Sequence, residues 1–87
     1  MKIVAKPIDA IVVFKGKERP LPYRFKFRDD AGEKREITVG KILVVEDHQL
    51  GGIKSLVYDC QSCIDDSERR YQLKYFVNEC RWELYKI

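Results

Sequence analysis

No apolar run in this chain is longer than a few residues. The longest, Ala10 to Phe14 and Ile42 to Val45, are far too short to cross a bilayer as a helix. Lys6, Pro7 and Asp9 interrupt the first residues before a signal-peptide core can form. A phosphate loop is also missing, because Gly51-Gly52 lacks both a GxGxxG pattern and a Gly-Lys-Ser/Thr step. Cysteines number three, an odd count at a density too low for a disulfide-stapled secreted domain. Gly and Pro fall mostly singly and mark turns, with no repeat, linker or low-complexity tract. These absences lead to a soluble, cytoplasmic chain with free thiols and no membrane contact. Its 87 residues form a single domain, 1–87, around one core.

What is present is a charged shell around enough apolar side chains to pack. Apolar residues make up 45% and charged residues 36%, the latter above the roughly 25% typical of globular chains. A net charge of +3 permits nucleic acid as a partner without demanding it.

The patterning reads as β-structure. Ile8 to Lys15 is rich in β-branched residues. Tyr23, Phe25 and Phe27 alternate with Arg24, Lys26 and Arg28, a period of two with aromatics on one face and cations on the other. A three-residue loop at 31–33 then sets Phe27 opposite Ile37, Phe25 opposite Val39 and Arg28 opposite Glu36. Gly40 interrupts a long third strand and marks a corner. A two-residue turn at Asp66-Ser67 pairs Tyr58 with Tyr75 and Cys60 with Leu73. A second turn at Asn78-Glu79 pairs Tyr75 with Trp82 and Leu73 with Leu84. Both turns select one inner face, with Tyr58, Cys60, Leu73, Tyr75, Trp82 and Leu84 inside and Cys63, Lys74, Phe76 and Arg81 outside. The fold class expected is all-β, a small antiparallel barrel of five to six strands, SH3-like or OB-like. The competitor is α+β with a helix over 65–87, because Leu73, Val77, Cys80, Leu84 and Ile87 are also spaced by four and three. Crowding by Tyr, Phe, Val, Cys and Trp favours strands.

Chemistry-bearing residues are few. Cys60-Gln61-Ser62-Cys63, with Cys80 and His48, contains the donors of a tetrahedral zinc. Positions i and i+3 of a strand point to opposite faces, however, and no βαβ pattern supports a redox role. Cys63 is expected opposite Arg70, near Arg69, where its thiolate would be favoured. His48 is expected in a loop. Asp29-Asp30 and Asp65-Asp66 fall in turns, where Asp serves the backbone. No catalytic, cofactor or metal residue is assigned, and the chain is read as non-enzymatic.

The candidate site is a surface. Arg24, Lys26 and Arg28 form a basic row, and Phe76, Arg81, Tyr85 and Arg70 form an aromatic and cationic outer face on the C-terminal strands. Cations interleaved with aromatics suit single-stranded nucleic acid, through phosphate contact and base stacking. They suit protein partners equally. The leading expectation is a binding module for nucleic acid or a nucleic-acid-processing protein. The alternatives are a protein-interaction or homodimerising domain, and a Cys/His zinc protein.

Pro7-Ile8-x-x-Ile11, Tyr23-Arg24-Phe25, Tyr71-Gln72-Leu73-Lys74-Tyr75 and Cys80-x-Trp82-x-Leu84-Tyr85-Lys86 resemble the markers of a family of small uncharacterised bacterial proteins, from Pro7 to the end. The resemblance implies a small β-barrel with no assigned activity, related to short domains that occur near DNA-repair polymerases. It carries over no functional residue.

Overall fold

The alternation around Phe25 does become a strand, and the way it packs decides the architecture. In a computed structural model describing Met1–Ile87, the chain forms eight strands and no helix. They are β1 (Ile3–Pro7), β2 (Asp9–Val13), β3 (Leu21–Arg28), β4 (Lys34–Thr38), β5 (Lys41–Leu50), β6 (Ile53–Ile64), β7 (Ser67–Phe76) and β8 (Arg81–Lys86). Two antiparallel sheets result, one ordered β1-β8-β7-β6-β5 and one ordered β2-β3-β4. Their inner faces share one core, in which Phe25 and Ile37 of the small sheet meet Tyr58, Tyr71, Leu73, Trp82 and Leu84 of the large one. Trp82 lies between Tyr58 and Tyr75, with ring centroids 5.1 and 4.8 Å away.

Eight strands replace the expected five to six for two reasons. Residues before Ile8 form β1 on the edge of the large sheet, pairing with β8 through a bulge where Ala5 has φ 44. Exposure alternates along β1, but Ile-Val-Ala-Lys-Pro shows no alternation of apolar and polar residues from which a strand could be read. The long third strand is also split at Gly40, where the chain leaves the small sheet and enters the large one. A Cβ at Gly40 would lie 2.8 Å from the Gln61 carbonyl oxygen, so only glycine lets the backbones approach this closely. The crossing is secured by Ser62, whose Oγ donates to the Thr38 carbonyl at 2.9 Å. The same oxygen accepts from the Gly40 N–H at 3.1 Å and meets the Tyr71 hydroxyl at 2.6 Å.

No helix forms over 65–87. Val77 and Cys80, two members of the helical stripe, sit in the β7–β8 turn, and Cys80 is exposed. The β7–β8 register is the expected one, with Tyr75 facing Trp82 and Leu73 facing Leu84, although Cys80 rather than Asn78 takes the positive φ. The β6–β7 register is corrected by two residues. The turn is Asp65-Asp66, with φ of 51 and 64, so Tyr58 faces Leu73 and Cys60 faces Tyr71. Positive φ at both central residues is what a tight hairpin matching strand twist needs, and Asp tolerates it. The β3–β4 register moves by two as well: Phe25 faces Ile37, and Arg28 faces Lys34 instead of Glu36. Here Asp29 starts the turn, its Oδ1 accepting the N–H groups of Ala31 and Glu33 at 3.0 Å each. A slip of two residues keeps every side chain on its face. The expected inner and outer residues therefore stand.

The core phenols give a pH test. Burial pushes the Tyr58 and Tyr71 hydroxyls from 10.0 up to about 12, and Tyr58 donates to the Pro20 carbonyl. Raised folded values mean that their contribution is whole below pH 10 and lost as pH rises towards about 12. Absorbance titration is expected to show these two phenols ionising only together with alkaline unfolding. Ionisation of all five tyrosines while the far-ultraviolet spectrum stays native would refute this.

Candidate functional site

The sequence motifs disperse once the strands are placed. Cys60 lies in the core, where burial pushes its thiol up to about 12, whereas Cys63 and Cys80 are exposed. The register places Cys63 opposite Glu68, while Arg70 faces Gln61, so the expected electropositive setting for Cys63 is withdrawn. His48 stands on the edge strand β5, not in a loop, with Nε2 3.3 Å from Glu46. No three His, Cys, Asp or Glu side chains converge to hold a metal ion. Labelling with a thiol reagent is expected to modify two of the three cysteines in the native state and the third only in denaturant. Rapid labelling of all three would contradict the placement of Cys60. Both Asp pairs serve turns and ion pairs: Asp30 meets Lys6 at 3.0 Å, which lowers its pKa, and Asp65 meets Arg35 at 2.9 Å.

The seven surface residues fall into two groups separated by the core. Arg24, Lys26 and Arg28 occupy the outer face of the small sheet. Arg24 and Lys26 share Glu36, at 3.2 and 3.9 Å, and Arg24 also lies over Tyr23. Arg70, Phe76, Arg81 and Tyr85 belong to the outer face of the large sheet, where Arg70 and Arg81 are exposed and Phe76 and Tyr85 half-buried. Phe76 faces Ser55 and Arg81, and Val57 faces Lys74. A bulge near Tyr85 brings Lys86 opposite Gln72.

On that face the geometry builds a row that sequence reading left incomplete. The Arg81 guanidinium lies 4.0 Å from the Phe76 ring centre. Lys74 Nζ lies 5.1 Å from the Phe76 ring centre and 4.7 Å from that of Tyr85, and Lys86 Nζ is 5.5 Å from Tyr85. Cation and ring thus alternate from Arg81 through Phe76, Lys74 and Tyr85 to Lys86. Beneath the row Ser55 and Val57 are buried.

Comparison with family models, with curated proteins and with solved structures finds no match.

The roles within the row differ. Arg81 is tied to Glu79 at 3.3 Å and Glu83 at 3.4 Å, and these carboxylates raise its pKa. Lys74 and Lys86 have no carboxylate within salt-bridge distance. Lys74 faces Val57 on β6 and Glu83 on β8, Glu83 is paired with Arg81, and Asp59 accepts a hydrogen bond from Gln72 at 2.6 Å. Lys74 was legible only as an outward residue. Its position over two rings depends on the β7–β8 register and on the bulge at Tyr85.

Proposed function

We propose that this chain is a non-enzymatic binding module that takes single-stranded nucleic acid on the outer face of its five-stranded sheet. The observation that carries the reading is Lys74, an unpaired ammonium resting over both Phe76 and Tyr85. An exposed cation–π contact is worth about 0.5–1 kcal/mol, whereas a base stacked on an aromatic side chain is worth about 1–3 kcal/mol. A base that takes the place of the ammonium therefore gains more than it displaces. The released Lys74, with Lys86 on the neighbouring strand and Arg70 further along β7, pairs with phosphate. The chain's two passages between sheets, at Ile8 and at Gly40, support an SH3-like or OB-like flattened barrel, and the cytoplasm is its proposed compartment.

The test is fluorescence anisotropy with a labelled oligothymidylate and its RNA counterpart over a range of salt. Phe76→Ala and Tyr85→Ala are expected to weaken binding about tenfold each, and Lys74→Ala to weaken it and flatten the salt dependence. Binding that is absent at low salt, or unchanged in Phe76→Ala, would refute the reading.

A protein-interaction or self-associating domain is the second reading, favoured by edge strand β5, where Val44 and Leu50 are 47% and 83% exposed. That edge is guarded. A bulge lies between Ile42 and Val44, and Arg19 places its guanidinium 3.4 Å from the Val45 carbonyl and 3.5 Å from Asp47. Such features oppose strand addition. Light scattering is expected to return a monomer mass across concentrations, and a concentration-dependent dimer would move the assignment to this second reading.

A further inference from the structure

The small sheet carries a feature that the nucleic-acid face does not explain. At the corner where β1 passes into β2, against β3 and β4, lies a cleft of about 430 Å³ lined by Lys6, Asp9, Lys26, Phe27, Arg28 and Lys34 around Pro7-Ile8. Four cations against one carboxylate leave its lining a formal +3, the same as the net charge of the whole chain.

Carboxylates outside the lining pair with two of these cations, Asp30 with Lys6 and Glu36 with Lys26, and leave Arg28 and Lys34 uncompensated. Arg28 and Lys34 face each other directly across β3 and β4, a like-charge pairing that destabilises a sheet. Neither makes an ion pair. Glu36 is shared between Lys26 and Arg24, Asp29 is spent on its turn and on Arg35, and Asp65 on Arg35. Asp30 reaches only Lys6. The donors are also held in place. The Arg28 Nη1 donates to the Gly32 carbonyl at 2.9 Å, which orients the guanidinium. Lys6 Nζ donates to the Arg28 carbonyl at 3.1 Å and stands 6.0 Å from the Phe27 ring centre.

We infer that this cleft is a binding site for a phosphate group. A cross-strand repulsion left without a counter-charge is relieved by an anion bridging Arg28 and Lys34. A tetrahedral oxyanion can accept from the guanidinium fork and from ammonium groups arriving from other strands. The volume exceeds that of bare phosphate and suits a phosphate carrying an organic group, with Phe27 as the aromatic wall. The donor set serves a free phosphate or phosphomonoester and a nucleic-acid phosphodiester alike. The inference stands apart from the proposed function, since it uses the other sheet and none of Lys74, Phe76 or Tyr85.

The experiment titrates the full chain, followed by amide nuclear magnetic resonance and thermal melting, first with inorganic phosphate and then with a short single-stranded oligonucleotide. Inorganic phosphate is expected to shift the Phe27, Arg28 and Lys34 amides and raise the melting temperature. Arg28→Gln and Lys34→Gln are each expected to weaken the effect about tenfold, while Phe76→Ala leaves it unchanged. A response of these amides to the oligonucleotide alone supports the site and assigns the phosphate to the polymer. Lys34→Glu, which supplies Arg28 with a partner, is expected to melt higher than the parent without anion and to lose the phosphate response. No shift of these amides with either ligand would overturn the inference. So would a response undiminished in both Gln variants.

Discussion

Ser62→Ala is expected to destabilise the protein by about 2–4 kcal/mol. A hydroxyl has one donor and two acceptor sites, and Ser62 uses all three: it donates to Thr38 and accepts from Gly40 and Tyr71. Removing it leaves an amide, a carbonyl and a buried phenol without partners at the crossing between sheets. Each unsatisfied buried group costs about 1–3 kcal/mol, and partial access of water keeps the total below the simple sum. Tyr71→Phe removes one hydroxyl and leaves Ser62 its other two partners, so about 1 kcal/mol is expected. The double variant should then cost less than the two singles added, because Ser62→Ala has already orphaned the hydroxyl that Tyr71→Phe deletes. Urea unfolding measures all four species. A Ser62→Ala loss below about 0.5 kcal/mol, or strict additivity, would show that the crossing does not depend on this hydroxyl.

Trp82→Ala is expected to cost about 3–5 kcal/mol, the range for truncating a large buried aromatic. Trp82 is 7% exposed and packs against both Tyr58 and Tyr75. Its loss opens a cavity and removes two aromatic contacts at once. A domain of this size has a total stability of roughly 4–13 kcal/mol, so the variant is expected to be largely unfolded at 37 °C in the lower part of that range. Trp82→Phe keeps one ring in place and should lose about half as much. The chain has a single tryptophan, so circular dichroism rather than fluorescence must follow unfolding. Trp82→Ala melting within a few degrees of the parent would place the core elsewhere.

Both predictions concern residues whose faces could be read in advance. Period two assigned Tyr58, Cys60, Leu73, Tyr75, Trp82 and Leu84 to the interior, and all six are buried. The register was less accessible. In β3–β4 and β6–β7 the true pairing differs by two residues from the one that hydrophobic matching selects. Matching cannot detect such a slip, since every side chain stays on its face. The turn decides it, through the Asp29 side-chain bonds in one hairpin and positive φ at Asp65 and Asp66 in the other.

The candidate surfaces follow the same division. That Phe76, Arg81 and Tyr85 point outward was legible, and so was the cationic side of β3. The slip of two residues replaced the favourable Arg28–Glu36 pair with Arg28 facing Lys34. The separate slip in β6–β7 sets Asp59 opposite Gln72 and Val57 opposite Lys74. The charges most relevant to ligand contact were therefore the hardest to place, because an ion pair depends on the identity of the cross-strand neighbour and not on its face alone.

By itself, the sequence determined that this is an antiparallel β-protein with a period-two core, tight turns at Asp, Gly and Asn positions, and a corner at Gly40. These properties are local, set by side-chain alternation and by the backbone angles each residue tolerates. Only the tertiary structure decided that the strands divide five and three between two sheets, that β1 closes onto β8, and that Lys74 lies over two rings while Arg28 confronts Lys34. Those outcomes join residues far apart in the chain. They are settled by packing, turn geometry and cross-strand neighbours together.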